Sequence, residues 1–333
     1  MIERGQIRIY ACGGAGSNIA ASLEKYRNSE ETETASLDIC YIDTSKSNLA
    51  RNKHNVQESS TYLIDGLDGS GKIRSENYDA IVQHSKNIIQ EFKPLDLNIV
   101  ISSGSGGSGS VLSPTLVGEL LDKKVPVIVL LVGSKATKLD ALNTIKTIKS
   151  FESISKLKKA PVVAVYAENN DKTPRAEVDQ SMLFSVLSLA ILYSRQNHEL
   201  DSQDLYNWLR YDRVTSFPPQ LSALYIVDGR QSIPELGDLG HVVSVATIGK
   251  DPDHCILDFT PDYQCTGFIP ETANKSILER CPFNFIVTDG VFPAAHDRLN
   301  KFVAGLEEEA SARIVNRSIL SHDDDATEIG IVL

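Results

Sequence analysis

A chain of 333 residues is long enough for two domains, and its 41% hydrophobic and 23% charged residues are the composition of a soluble globular protein. A formal net charge of −11 argues against nucleic acid as the main partner, because a phosphate backbone needs a basic face. The five cysteines, Cys12, Cys40, Cys255, Cys265 and Cys281, have no metal-ligand spacing and point to reduced cytosolic thiols, while neither a signal-peptide core at the start nor an apolar run long enough to span a bilayer is expected.

The first half alternates strand and helix patterns. Residues 7–11 form an apolar strand that runs into Gly13-Gly14-Ala15-Gly16-Ser17-Asn18, and a helix is expected over 19–26. Dinucleotide enzymes begin the same way, but their pattern asks for a glycine where Ile19 stands. A second strand, 38–42, closes on Asp43-Thr44-Ser45; Asp43 is placed to accept from a ribose hydroxyl or to cap the next helix. A short strand at 62–64 precedes Gly66-Leu67-Asp68-Gly69-Ser70-Gly71-Lys72-Ile73. This has the Gly-x4-Gly-Lys spacing of a P-loop, with Ile73 in place of the Ser or Thr that would hold magnesium. It reads as a further glycine-rich loop near phosphate, with Lys72 either meeting a phosphate or simply solvated.

The stretch around which the chain is organised is Ser102-Ser103-Gly104-Ser105-Gly106-Gly107-Ser108-Gly109-Ser110, between a strand at 97–101 and a helical pattern with Pro114 in its first turn. Glycines let backbone N–H groups approach phosphate oxygens, and a helix N-terminus adds partial positive charge. The plain alternative is a flexible linker, which rarely has buried-strand and helix patterns on both sides. Strands at 125–132 and 161–167 frame a helix at 139–151. The second strand ends in Glu168-Asn169-Asn170-Asp171-Lys172, suited to a base edge or to a turn. Residues 177–193 are apolar on nearly every side and read as a buried core rod. After it comes the acidic cluster Glu199-Leu200-Asp201-Ser202-Gln203-Asp204, with Asp201 and Asp204 near one side of a helix start or serving as its cap. Strands are then expected at 221–227, 242–248, 256–259 and 283–287, a closing helix at 294–319, and an acidic end, 321–328, that does not pack. The seven histidines have no metal-ligand spacing.

In this order the motifs resemble the tubulin/FtsZ superfamily of GTP-dependent filament proteins, and a phage-encoded tubulin more than a cellular FtsZ. The family signature Gly-Gly-Gly-Thr-Gly-(Ser/Thr)-Gly, followed by two small residues and Pro, lies on residues 105–114 with Pro114 in register; Ser105 and Val111 replace signature glycines. Gly13 to Asn18 is close to the Gly-Gly-Ala-Gly-Asn-Asn of FtsZ, and 66–71 occupies the place of the γ-phosphate-sensing loop. Asn170-Asp171-Lys172 matches an Asn-Asp-Lys before the core helix, and Asp179 falls on the guanine-binding Asp of that helix, with Val178 where FtsZ has an Asn. The acidic cluster matches Asn-x-Asp-x-x-Asp, with Glu199 for the Asn.

The resemblance implies an α/β fold with an N-terminal Rossmann-like parallel-sheet GTPase domain (1–175), a long central core helix (176–198), a smaller α+β C-terminal activation domain (199–319) ending in a helix, and an acidic tail (320–333). It implies that GTP or GDP with Mg2+ is bound by Gly13, Gly14, Ala15, Gly16, Ser17, Asn18, Asp43, Gly69, Ser70, Gly71, Gly106, Gly107, Ser108, Gly109, Ser110, Asn170 and Asp179, with metal ligands unassigned. It further implies that Asp201, Asp204 and Glu199 complete hydrolysis in the neighbouring subunit of a head-to-tail filament. The tail would contact a neighbouring subunit, and the filament would position phage DNA or an assembly compartment in the host cytoplasm. Two alternatives remain open at this point: a non-hydrolysing adaptor with the same fold, and a nicotinamide-dependent oxidoreductase suggested by Gly14, Gly16 and Asp43.

Overall fold

The computed structural model describes residues 4–27, 34–51, 60–230 and 239–314. Its first part alternates strands β1 Gln6–Cys12, β2 Ser36–Asp43, β3 Thr61–Leu63, β4 Leu97–Ser103, β5 Val127–Ser134 and β6 Val162–Asn169 with helices. These are α1 Gly13–Ala21, α2 Lys46–Arg51, α3 Tyr78–Glu91, α4 Gly109–Asp122 and α5 Lys138–Lys158. The core helix α6 Arg175–Leu192 and the short α7 Ser202–Leu209 lead to β7 Leu221–Val227, β8 Val242–Gly249, β9 Tyr263–Phe268, β10 Phe283–Thr288 and the C-terminal helix Val291–Ile314. All ten strands share one sheet in the order β3-β2-β1-β4-β5-β6-β7-β10-β8-β9. Strands β1 to β6 are parallel, β7 joins β6 in parallel, and β10 runs antiparallel between β7 and β8.

The continuous apolar strands have the physical reason expected of them: both faces of the sheet are covered. In β1, Ile7, Ile9 and Ala11 join the core layer that includes α1, α6 and α7, while Tyr10 and Cys12 join the layer under α3, α4, α5 and the C-terminal helix. Helix α6 lies in the first layer with Met182, Val186 and Leu189 fully buried. From Met182 to Leu192 no residue is exposed, as the apolar run implies, whereas Glu177, Gln180 and Ser181 are exposed, so the rod is covered along its second part only.

Four elements differ from the sequence reading. The glycines of the first motif are not a loop before a helix at Ile19; they are the first turn of α1, which ends at Ala21. Helix α3, unassigned from sequence, buries Ile81, Ser85, Ile88 and Ile89 on one face. The strand expected at 256–259 is absent. A 3-10 turn, Pro252–Cys255, leads into it, Ile256 is 74% exposed, and the strand beside β8 is β9, whose inward residues alternate after Pro261. Proline on either side of 256–259 breaks the extended pairing that its apolar residues suggest. The closing helix starts at Val291, three residues before the expected 294. Residues 315–319 of its expected range and the acidic tail lie outside the described residues. No helix among the described residues is long and apolar enough to cross a membrane.

Candidate functional site

Parallel strands β1, β2 and β4 end at the same edge of the sheet, and the segments leaving them enclose a cleft of about 320 Å³. Gly14 and Ala15 of α1, Asp43, Gly69, Ser70, Gly71, and Gly106 to Gly109 line it, as do Cys12, Ser45, Asn48, Lys72 and Ser103. Short-range hydrogen bonds hold these segments together. Thr44 Oγ1 and Ser108 Oγ share one at 2.6 Å, Ser108 Oγ donates to Ser70 Oγ at 3.3 Å, and Asn77 Nδ2 donates to the Gly69 carbonyl at 2.6 Å. Ser110 is fully buried behind the loop, where its hydroxyl donates to the Gly106 and Gly107 carbonyls, each at 2.7 Å.

The cleft has the properties of an anion site. Both α1 and α4 begin at it, and neither N-cap, Cys12 or Ser108, supplies a side-chain hydrogen bond to the helix. The dipoles of both helices, and in α4 the N–H groups of Gly109 and Ser110, therefore remain available to a ligand, while the Val111 N–H already donates to the Ser108 carbonyl. Among the described residues, nothing accepts a hydrogen bond from the N–H groups of Gly106, Gly107 or Ser108. Gly106 meets open space where a Cβ would stand. The neighbouring glycines serve the walls instead. A Cβ on Gly109 would lie 2.8 Å from the Cys12 carbonyl oxygen, and Gly13, at φ 71, abuts Gly109; a Cβ on Gly107 would collide with Ser70 Oγ. Gly16 packs on the Ile101 carbonyl behind the wall, and the buried Ser17 hydroxyl has no hydrogen-bond partner among the described residues. Asn18 is half-buried and does not line the cleft.

Charged groups at the rim are already engaged within the chain. Asp43 is buried; its Oδ1 accepts from the Thr44 and Ser45 N–H groups and its Oδ2 from Asn48 Nδ2 at 3.0 Å. Burial raises its carboxyl above the usual value, against the pull of those donors. Lys72 Nζ pairs with Asp140 Oδ1 at 2.7 Å, so this lysine is neither free in solvent nor aimed at the loop glycines. Asp140 sits in the first turn of α5, where Thr137 Oγ1 donates to its Oδ2 and accepts from its N–H. Behind the loop, Arg74 donates to the Ser110 carbonyl at 2.9 Å and to the hydroxyls of Thr147 and Ser150.

Asn170 and Asp179 do not line the cleft, although the end of β6 and the start of α6 place them at the same edge of the sheet. The Asn170 side chain closes a turn by accepting from the Lys172 and Thr173 N–H groups. Asp179 faces Arg175 at 3.5 Å, and burial pushes its carboxyl up against that attraction. The acidic residues lie at the opposite edge. Asp201 lines a cavity of about 740 Å³ with Leu95 and Asp96, which precede β4, whereas the cleft follows β4 at Ser103. The length of β4 separates the two, roughly 20 Å at about 3.3 Å per residue. Within one chain Asp201 and Asp204 form a capping box on α7, and Glu199 is exposed at φ 72.

A family model described as phage tubulin-like protein, C-terminal domain, matches residues 200–287. The phage tubulin-like protein of Pseudomonas phage phiKZ is 29% identical over 100% of this chain and 99% of its own length; that of phage PhiPA3 is 27% identical over 98% of each. A protofilament structure of TubZ from bacteriophage PhiKZ superposes with a TM-score of 0.80 over 98% of this chain and 99% of its own, at 29% identity. Along its whole length the chain is similar to phage tubulin-like proteins of the tubulin/FtsZ superfamily. A GDP-bound phage tubulin, PhuZ, at 22% identity and a TM-score of 0.83, shares the fold.

Whole-length similarity to phage tubulin-like proteins, which include a filament-forming TubZ, displaces the oxidoreductase alternative. The strand order β3-β2-β1-β4-β5-β6 is also that of dinucleotide-binding folds and does not separate the two. The second glycine loop, seated against the first, does. Sequence reading missed Asn48, an isolated polar residue with no periodic signal, and named Ser45 and Ser103 within their motifs without assigning them to the site. It also missed two anchors distant in the chain from the loops they hold: Asp140, paired with Lys72, and Asn143, whose Nδ2 donates to the Lys72 and Ser105 carbonyls. Lys72 was flagged by its Gly-x4-Gly-Lys spacing, but its partner was not.

Proposed function

We propose that this tubulin-like GTPase binds guanine nucleotide with its phosphates between the first turn of α1 and the 106–109 loop, and completes hydrolysis only when a second subunit stacks on it. The observation that carries this reading is the placement of the cleft and the acidic loop at opposite edges of one sheet. Translating one copy along the strand direction brings the Asp201 end of one subunit over the cleft of the next, and repeating that operation builds a head-to-tail filament. The orphan N–H groups of residues 106–108 and the two uncapped helix ends receive the phosphates. Asp43, Asn170 and Asp179, at the same edge, are the groups assigned to ribose and base. A carboxylate of the incoming loop, Asp204 or Asp201 with Glu199 beside it, accepts a hydrogen bond from water and aligns it with the terminal phosphorus.

No cluster of His, Cys, Asp or Glu among the described residues could hold a metal by itself. Magnesium, which supplies charge neutralisation at the phosphates, is therefore assigned to the nucleotide rather than to a protein cage. The parts divide as the sequence suggests, 1–175 for nucleotide, 176–198 as the rod and 199–319 for activation. The filament works in host cytoplasm. Residues 320–333, outside the described residues, contact a neighbouring subunit through their acidic side chains.

Phosphate release per subunit tests this reading. It is expected to rise with protein concentration, because the site exists only at a contact. Turnover that is constant per subunit from nanomolar to micromolar protein would place hydrolysis within one chain, and no turnover at any concentration would favour the adaptor.

A further inference from the structure

We propose that Lys72 is a two-position lysine that reads the third phosphate: Asp140 holds it when that phosphate is absent, and the phosphate takes it when present. This rests on the nucleotide reading above; to the γ-phosphate sensing that the resemblance gives residues 66–71 it adds the residue that responds and the carboxylate that competes for it.

Among the described residues lining the cleft, Lys72 carries the single positive charge. The two helix ends and the orphan N–H groups supply only partial charges, so each added phosphate increases the demand for a full one. Its backbone is built for this place. Gly69, Gly71 and Lys72 all have positive φ, 73, 52 and 67, and only Lys72 of the three carries a Cβ into that region. The carbonyl of Lys72 is fixed independently of its ammonium: Asn143 Nδ2 donates to it at 2.9 Å and to the Ser105 carbonyl at 3.2 Å. One amide thus sets the lysine's loop against the phosphate loop. A Cβ on Gly107 would stand 3.2 Å from Lys72 Cα, so the lysine side chain springs from backbone that touches the loop.

The pair with Asp140 is asymmetric in a way that suits a latch. The Lys72 side chain is 52% exposed and can swing, while that of Asp140 is 5% exposed and cannot follow. When Lys72 leaves, Asp140 keeps the hydrogen bond from Thr137 Oγ1. The carboxylate is left under-compensated but not bare, so the latch resists opening without forbidding it. A diphosphate ends short of the lysine and leaves it on Asp140. A triphosphate offers a more highly charged acceptor and draws it away. The Gly-x4-Gly-Lys spacing acquires a use unlike that of a P-loop, since the lysine is parked on a carboxylate of α5 and no helix follows Ile73 directly.

Equilibrium binding of GDP and of a non-hydrolysable GTP analogue, at protein concentrations below assembly, tests the latch without measuring turnover. Lys72→Met is expected to weaken the triphosphate about tenfold and to leave GDP within about twofold, the scale of one charge-assisted contact. Lys72→Arg, which keeps the charge, retains most of the preference. Asp140→Asn, which keeps an acceptor for Thr137, is expected to tighten the triphosphate several-fold by releasing Lys72, with GDP unchanged. The double variant should match Lys72→Met alone, because the two residues act through one lysine. Equal changes for both nucleotides, or no gain from Asp140→Asn, would make Lys72 a structural clip and overturn the proposal. A wild type that binds neither nucleotide removes the nucleotide reading itself, and the latch with it.

Discussion

Gly106 and Gly107 are adjacent in the chain yet constrained by different things. A Cβ on Gly106 points into open cleft, while one on Gly107 would meet Ser70 and the Lys72 backbone. Gly107→Val is therefore expected to abolish guanine nucleotide binding by displacing the 69–72 loop, rather than by filling the phosphate's own space. Gly106→Ala should leave thermal stability within about 0.5 kcal/mol, as for other substitutions without a steric partner, and still weaken nucleotide binding, because its methyl group occupies ligand volume. Melting curves beside binding isotherms check both. Normal affinity in Gly106→Ala would remove the 106–109 loop from the site.

Helix α7 tests whether an element's cap is also a reacting group. Asp201 Oδ1 accepts from the Gln203 and Asp204 N–H groups at 2.7 and 2.9 Å, and Asp204 Oδ2 accepts from the Asp201 N–H at 3.2 Å. The geometry of one chain alone is satisfied by a structural role, for which Asp201→Ala or Asp204→Ala costs ~1 kcal/mol and little else. The head-to-tail reading adds a second effect: Asp204→Ala folds, binds GTP and forms filaments that persist because hydrolysis fails. Filament lifetime by light scattering after GTP addition separates the two. Normal disassembly in Asp204→Ala would leave the carboxylate as a cap only.

For the whole molecule, the polarity of the parallel sheet is what gives the subunit two unlike ends. Heterologous contacts between such ends extend indefinitely unless a rotation closes them. The sequence 321–328 adds four acidic residues near the chain terminus, Asp323, Asp324, Asp325 and Glu328. Contacts made by such a tail are screened over about 8 Å at physiological ionic strength. Deleting residues 321–333 is expected to raise the critical concentration for assembly and to flatten its salt dependence. Pelleting assays across a salt series check this, and an unchanged threshold would leave the tail as solvated chain.

The sequence by itself determined what local pattern can carry. Continuous apolar runs marked the buried parallel strands, the all-round apolar stretch marked α6, and the glycine-serine loop between strand and helix marked a segment that lines the cleft. It could not decide questions whose answer lies on another segment. Residues 256–259 are apolar enough for a strand, yet the place beside β8 went to β9, because pairing depends on register and on the prolines nearby. The glycines of the first motif became a helix turn rather than a loop because α1 begins as soon as β1 ends. Gly107 and Gly109 matched the pattern of a ligand loop, but only tertiary contact shows that Ser70 and Cys12 are what they accommodate. Lys72 and Asp140 lie 68 residues apart, and no periodicity links them. Tertiary structure also set the cleft and the acidic loop at opposite ends, because strand direction, and not residue type, fixes where the ends of a parallel sheet fall.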